Sequence, residues 1–258
     1  MEITLVDLNR IICFWLCFSR WLSSLMLLPL FGEMELPGII KVLATLVITF
    51  AFFPMTSPSV MQDLMVVGDR NFWFLTVVYT LMGLSIGLLA KLIFSIFVSS
   101  GMVITQMMGL SAIRYFDPNT ALTIGPIEKL IHLSMVSLLL GSGVMLPLMK
   151  GVLLSFDHLS LVNIQNFYLQ PDGVLFFVKK IFESTLVLST PLMVIHFVIN
   201  VVLGLVTRLV PQINVLMVSF AINILLGILV FCLTSEEFFI TAEKIYQELI
   251  MWWYRYVT

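Results

Sequence analysis

Charged residues are scarce in this chain of 258 residues. Only 11% are Asp, Glu, Lys or Arg, whereas a soluble globular domain carries about 25%. Hydrophobic residues make up 60% of the chain, and the mean hydropathy is +1.09. A soluble fold of this length would lack the charged surface needed to cover it, so the composition excludes a lone soluble domain and indicates a membrane protein. The net charge of −2 offers no basis for a nucleic-acid-binding surface.

Residues typical of catalytic and metal centres are equally sparse. The three cysteines cannot form a closed disulfide framework, and no Cys-x-x-Cys pair is present to begin a zinc site. The three histidines, His132, His158 and His196, are far apart in the sequence. The chain contains no P-loop or His-Glu-x-x-His pattern. We therefore predict a protein that is not an enzyme and that uses no metal or cofactor.

Long apolar runs, each with at most one charged residue, dominate the sequence. A membrane-spanning helix needs about 20 apolar residues, and lipid cannot satisfy unpaired backbone groups. Because the runs far exceed the roughly ten residues of a barrel strand, they predict helices. We predict an all-α fold of six or seven long apolar helices in membrane-associated hairpins. The runs are residues 11–31, 42–62, 71–90, 92–113, 130–149 and 184–235, of which the last is long enough for two helices.

Prolines and charges between the runs predict where helices end. Pro54, Pro58 and the polar residues 63–71 favour a loop after the second run. Lys91 favours a short turn between the third and fourth runs. Residues 236–258 predict an amphipathic C-terminal helix, because aromatic and aliphatic side chains alternate there with Glu and Lys.

Arg20 stands alone as a charge within the first apolar run. A charge at the bilayer centre costs about 2.5–3.5 kcal/mol on insertion scales. We therefore expect its guanidinium to face protein or water. Two interpretations remain open: the side chain reaches an interface or helix-end carbonyls, or it contacts a partner subunit or lines a pore.

A polar cluster interrupts the longest run at residues 204–215, which read GLVTRLVPQINV. Pro211 lacks an amide hydrogen and clashes with the carbonyl four residues earlier, so it predicts an unwound or kinked turn. Arg208, Gln212 and Asn214 could then bind the freed carbonyl groups. An ordinary loop between two spanning helices and a polar corner buried in an assembly both fit these residues.

Residues 106–126 read QMMGLSAIRYFDPNTALTIGP and cannot form one straight helix. Asp117 and Pro118 favour a turn, since Asp accepts from following amides and Pro presets its own backbone angle. Irregular backbone at membrane depth is tolerated only where it is buried in protein or lines water. The residues alone favour a surface loop over a re-entrant plug.

Three segments resemble the FliR/SctT family of type III export-gate proteins, which has a flagellar (FliR) and an injectisome (SctT) group. Residues 204–215 are similar to the family signature GLxxRxxPQxN, and residues 106–118 to a segment with QMGLS followed by DP. The third segment is Arg20 followed by PLFG at residues 29–32. The QMGLS string is typical of the flagellar group, although this chain carries an extra Met within it. Residues 35–41 are less basic than flagellar relatives often are.

The resemblance implies a subunit of a protein-conducting gate in the bacterial inner membrane, within the flagellar basal body. Such gates join FliR to FliP and FliQ subunits, together with FlhB and FlhA, and pass unfolded flagellar proteins. We therefore expect a single FliR-like domain over residues 1–258, in contact with lipid and with these partners. A FliP-like part would occupy residues 1–180. A FliQ-like hairpin with the C-terminal amphipathic helix would occupy residues 181–258.

The resemblance also implies roles for particular residues. It makes residues 106–126 a plug that projects into the channel, so a plug replaces the surface loop as the expectation there. Arg20 would be a buried charge or subunit contact. The expected plug or gate residues are Ser111, Tyr115, Phe116, Asp117, Pro118 and Pro126. The expected corner of the FliQ-like hairpin consists of Arg208, Pro211, Gln212 and Asn214.

Two other functions are alternatives to a flagellar gate subunit. The first is an injectisome export subunit of the SctT group. The second is a stand-alone membrane transporter, which would carry a broken helix in each half of the chain. Only the second half has such a corner, at residues 204–215, and this counts against the transporter.

Overall fold

The computed structural model describes residues 8–28, 37–68, 71–110, 126–141, 143, 145–161, 171–210, 212 and 214–257. Within these ranges the secondary structure consists of helices, without a strand, so the all-α prediction is confirmed. The helices are α1 (Leu8–Leu27), α2 (Gly38–Val67), α3 (Phe72–Met107), α4 (Pro126–Gly141), α5 (Met145–His158), α6 (Pro171–Leu209) and α7 (Val215–Val257).

Five of these helices have the length and apolar composition of membrane spans. Their candidate spans are Leu8–Leu27, Gly38–Val67, Phe72–Met107, Leu175–Leu209 and Met217–Arg255. Apolar helices of this length confirm the predicted membrane protein.

The loop predicted at Pro54, Pro58 and residues 63–71 is wrong over most of its length, because α2 continues to Val67. Both prolines lie inside the helix. One face of α2 is buried, chiefly against α1 and α5, and this packing stabilises the helix despite the missing amide hydrogens. The buried residues of that face are Thr45, Thr49, Thr56, Val60, Asp63 and Leu64.

The turn predicted at Lys91 is also wrong, because α3 runs through it as one helix. Ala90 and Phe94 are buried on either side, so the apolar stripe of α3 continues past the lysine. Lys91 itself is exposed. A charged side chain on the outer face of a helix leaves the buried stripe intact and does not end the helix.

The run at residues 130–149 forms two helices, since α4 ends at Gly141 and α5 begins at Met145. Gly143 between them has a φ of +72°, which glycine adopts at low cost. The longest run divides as Pro211 predicted: α6 ends at Leu209 and α7 begins at Val215.

The chain forms two compact units that share three of the long helices. Unit 1 comprises Met1–Phe94, Gly143–Val174 and Glu248–Thr258. Unit 2 comprises Ser95–Ser142 and Leu175–Gln247.

In unit 1, α1 and α3 approach closely through small residues. A Cβ atom on Gly83 would overlap the Ser23 hydroxyl, and one on Gly87 would overlap the Ser24 carbonyl. The Ser24 hydroxyl donates to the Gly83 carbonyl over 3.1 Å. Two glycines four residues apart against a serine-rich face give the close backbone contact that membrane helices use in place of the hydrophobic effect.

The last turns of α7 also belong to unit 1, where Trp253 is fully buried. Its ring lies against Gly151 of α5. Its indole N–H donates to the Ile86 carbonyl of α3 over 3.2 Å, so the polar end of this large side chain is satisfied. Trp253 therefore anchors the C-terminal helix within unit 1.

The core of unit 2 lies along one stripe of α6. Leu188, Leu192, Ile199 and Leu203 are buried there at helical spacing. On α7, Gly227 packs closely against Met108, which follows α3. The rings of Phe97 on α3 and Tyr246 on α7 have centroids 6.2 Å apart.

Candidate functional site

The clearest polar site in unit 1 is built around Arg20, which is completely buried in α1. Its Nη2 donates to the Ser155 carbonyl over 2.9 Å and to the Leu159 carbonyl over 3.3 Å. Both acceptors lie at the C-terminal end of α5. The Ser155 carbonyl also accepts from the Leu159 amide over 2.9 Å. The C-terminal end of a helix carries partial negative charge, so its carbonyls suit a buried cation.

Aromatic rings surround the guanidinium. Its Cζ lies 4.7 Å from the Phe156 ring centroid and 5.5 Å from that of Tyr79. The Trp21 ring stacks on Phe52 and also contacts Phe156. Cation–π attraction is strongest where water is excluded, and these rings exclude it here.

A buried carboxylate completes the cluster. Asp63 on α2 is fully buried, and its Oδ2 accepts from the Tyr79 hydroxyl over 2.7 Å. The same oxygen accepts from the Leu161 amide over 3.0 Å. Asp63 therefore holds the turn that follows α5, while Arg20 holds the end of α5 itself. Two charged groups on different helices fix the same end of one helix.

A second carboxylate lies at the edge of this cluster. Asp157 is exposed, and its Oδ1 accepts a hydrogen bond from the Ser59 hydroxyl of α2. Asp63 and Asp157 both attract the Arg20 guanidinium electrostatically. The buried charges of Arg20 and Asp63 require nearby opposite charges or hydrogen bonds, since loss of hydration alone would strongly destabilise each group.

The structure therefore places Arg20 on helix-end carbonyls, the first of the two interpretations that its sequence left open. The sequence interpretation missed Asp63 by assigning it to a loop. The available signal was the spacing of Thr49, Thr56 and Asp63, which are seven residues apart and lie on one buried helix face. Tyr79 carried no signal of its own, because its partner comes from another helix.

The predicted corner lies at the junction of α6 and α7, with Arg208 in the last turn of α6. Arg208, Gln212 and Asn214 are exposed, whereas Pro211 lies outside the described residues. The Asn214 carbonyl accepts from the Met217 and Val218 amides. Its side-chain Oδ1 lies 3.4 Å from the Met217 nitrogen. Asn214 thus caps the start of α7, a position that favours Asn.

Most of the predicted plug lies outside the described residues, including Ser111, Tyr115, Phe116, Asp117 and Pro118. Pro126 is the first residue of α4. Proline is favoured at the first position of a helix, where its missing amide hydrogen costs nothing. The structure does not bring the plug and corner residues together among the residues it describes.

Replacing Arg20 with Met should lower the free energy of unfolding by about 3–5 kcal/mol, because it leaves Asp63 as an uncompensated buried charge. Thermal unfolding of the purified protein in detergent measures this loss. Arg10→Met provides the control, since Arg10 is exposed on the same helix. Equal melting temperatures for the two variants would contradict the structural role of the arginine cluster.

Known proteins with similar sequences include flagellar biosynthetic proteins and a surface presentation of antigens protein. The chain is 26% identical to the flagellar biosynthetic protein FliR of Aquifex aeolicus over 90% of this chain and 89% of that protein. It is 30% identical to FliR of Buchnera aphidicola subsp. Baizongia pistaciae, in a match that spans 53% of each chain. It is 25% identical to the surface presentation of antigens protein SpaR of Shigella flexneri over 70% of this chain and 73% of that protein.

A family model described as bacterial export proteins, family 1, matches residues 11–249. This match includes α1 to α6 and α7 as far as Leu249, and so contains the arginine cluster and the corner. It confirms the family resemblance drawn from the three sequence segments. The chain belongs to family 1 of the bacterial export proteins.

Proposed function

We propose that this chain is a non-enzymatic subunit of the flagellar type III export gate in the bacterial inner membrane. It packs with FliP-like and FliQ-like subunits, next to FlhB-like and FlhA-like components, around a channel for unfolded flagellar proteins. The family match and the flagellar names of its relatives support this function. The observation that carries it is the amount of apolar helix surface that this chain leaves uncovered.

Helix α2 shows this surface most clearly. Ile39, Phe50 and Val66 are each exposed by 70% or more, at the start, middle and end of the helix. The 28 residues from Ile39 to Val66 extend over about 40 Å of helix. The hydrocarbon core of a bilayer is about 30 Å thick. Apolar surface of this length on an upright or moderately tilted helix therefore requires protein neighbours in addition to lipid.

Helix α3 supports the same conclusion through Lys91. This lysine is exposed near the middle of the helix, one turn from the exposed Leu88. A lysine that faces hydrocarbon at mid-helix is unfavourable by about 2.5–3.5 kcal/mol. A partner subunit or a water-filled channel beside α3 avoids this cost.

In this proposal, each of the two parts of the chain is similar to one of its partner subunits. We assign residues 1–180 to a FliP-like part and residues 181–258 to a FliQ-like hairpin with its C-terminal helix. The corner of this hairpin presents Arg208, Gln212 and Asn214 on an exposed surface. These side chains are available to bind carbonyl groups or carboxylates of a neighbouring subunit.

The segment between α3 and α4 supplies the plug in this proposal. It begins after Leu110 and ends at Pro126, where α4 starts. Its aromatic tip, Tyr115 and Phe116, would occupy the channel until a substrate arrives. Both flanking helix ends belong to unit 2, which gives the plug one anchoring unit.

An injectisome gate subunit is the second candidate function. It is favoured by the similarity to SpaR, which covers 70% of this chain. Both candidates predict the same packing with small membrane partners. They differ in whether the chain belongs to a flagellum or to an injectisome. Complementation of a non-motile fliR deletion strain distinguishes them, because the flagellar subunit is the one expected to restore motility.

Arg208→Ala should reduce recovery of the chain in complex with its FliP-like and FliQ-like partners, because it removes the exposed cation of the corner. Co-purification in mild detergent after co-expression measures this recovery. Lys150→Ala is the matched control, since Lys150 is an exposed cation in unit 1. A wild-type chain that purifies alone or only as a homo-oligomer would contradict the gate function. Normal recovery of the Arg208→Ala complex would contradict the role of the corner.

Replacing residues 111–125 with a Gly–Ser linker of equal length should increase ion leakage through the gate, because the bulky plug side chains are lost. Leakage is measured as loss of membrane potential in cells that are not secreting, with the wild-type gate as control. Unchanged ion leakage would contradict the proposed role of this segment as a plug, whether or not export continues.

A further inference from the structure

A small cavity lies inside unit 2, where α6 and α7 meet the end of α3. Its walls are apolar, with Met107, Ile199 and Gly227 among them, except for His196 and Asn223. About 10 Å³ of it is open to the centre of a water molecule. This volume corresponds to about one bound water.

His196 on α6 lines this cavity. Its Nε2 is 2.8 Å from the Asn200 amide nitrogen, one turn further along the helix. Its Nδ1 is buried and has no hydrogen-bond partner in the described part of the chain. One ring nitrogen is therefore satisfied, and the other calls for a partner.

Asn223 on α7 has the complementary arrangement and is only 7% exposed. Its Nδ2 donates to the Ser219 hydroxyl over 3.2 Å. Its Oδ1 is buried and lacks a partner among the described residues. Two residues that line one cavity, from two helices, thus each carry a buried polar atom without a partner among the described residues. Buried polar groups in native proteins are nearly always hydrogen-bonded, so this pair calls for a shared partner.

We propose that one ordered water occupies this cavity and bridges His196 Nδ1 to Asn223 Oδ1. The bridge forms a polar link between α6 and α7 within unit 2. Its existence is independent of the export function proposed above.

The chemistry of the two atoms selects water over other ligands. Asn223 Oδ1 only accepts hydrogen bonds, so the bound molecule must donate to it. His196 Nδ1 carries a proton if Asn200 donates to Nε2, and it is a hydrogen-bond acceptor if the Asn200 amide is turned around. Water satisfies both tautomers, because it can accept from Nδ1–H or donate to Nδ1 while it donates to Oδ1.

A metal ion fits this cavity poorly. Ca²⁺ and Mg²⁺ require about six or more ligands, mostly oxygens, whereas the cavity offers one amide oxygen and one imidazole nitrogen. No group of three His, Cys, Asp or Glu suited to a metal occurs in the described ranges. An organic ligand is too large for the space. A neutral molecule of water size is the occupant that the cavity accommodates.

The direct test is a cryo-EM map of the purified wild-type complex at a resolution that shows ordered waters. We expect a density peak within about 2.7–3.2 Å of both His196 Nδ1 and Asn223 Oδ1. A map that shows the two side chains in direct contact, or no peak between them, would overturn the proposal.

A double-mutant cycle tests the link energetically. His196→Leu and Asn223→Leu should each lower the melting temperature in detergent, because each leaves the other polar atom without its bridge. The double variant should lose clearly less than the sum of the two, since both polar atoms are then gone. Ser235→Ala with His196→Leu is the control pair, because the Ser235 hydroxyl donates within its own helix, to the Cys232 carbonyl. Additive losses of melting temperature in the His196–Asn223 cycle would contradict the proposed water bridge.

Discussion

A guanidinium that is buried among apolar helices must find acceptors inside the protein, and this constraint organises unit 1. Arg20 finds them at the C-terminal end of α5, where the partial negative charge of the helix favours a cation. Asp63 binds the turn that follows, so α1 and α2 together fix the position of α5. The Tyr79 hydroxyl connects α3 to the same carboxylate. Four helices are thus oriented by a few polar contacts, which suits an environment where the hydrophobic effect between helices is weak.

Unit 2 uses small polar contacts in the same way, but its outer surface is more open. His196 and Asn223 face one cavity between α6 and α7, while large apolar side chains such as Phe197 and Leu233 remain exposed. Exposed apolar surface also extends along α2. A chain built in this manner stabilises its own interior and leaves its outer faces to lipid and to other subunits. An export-gate subunit requires both properties, since it must hold its shape while neighbours surround it.

The sequence predicts a structural feature correctly where the signal lies within a few residues. It fails where the feature depends on a residue that is distant in the sequence. Apolar runs predicted the long helices, and Pro211 predicted the break between α6 and α7, because both effects act within a few residues. Pro54 lies within α2 although it disfavours helix, because α1 and α5 bury the opposite face. Arg20 was recognisable as a lone charge in an apolar run, but Asp63 was not, since its partners are 16 and 98 residues away. The roles expected for the plug and the corner come from the resemblance of their motifs to the family. Helix periodicity and residue spacing alone do not predict these roles.

We propose that protein neighbours cover the apolar face of α2 in the assembled gate. Spin labels at positions 39, 50 and 66 of α2 would report collisions with oxygen, which dissolves in lipid, and with a water-soluble nickel reagent. On assembly with the partner subunits, we expect all three labels to become protected from both reagents relative to the isolated chain in lipid. A label at position 50 that stays as accessible to oxygen in the assembled gate as in the isolated chain would contradict the claim.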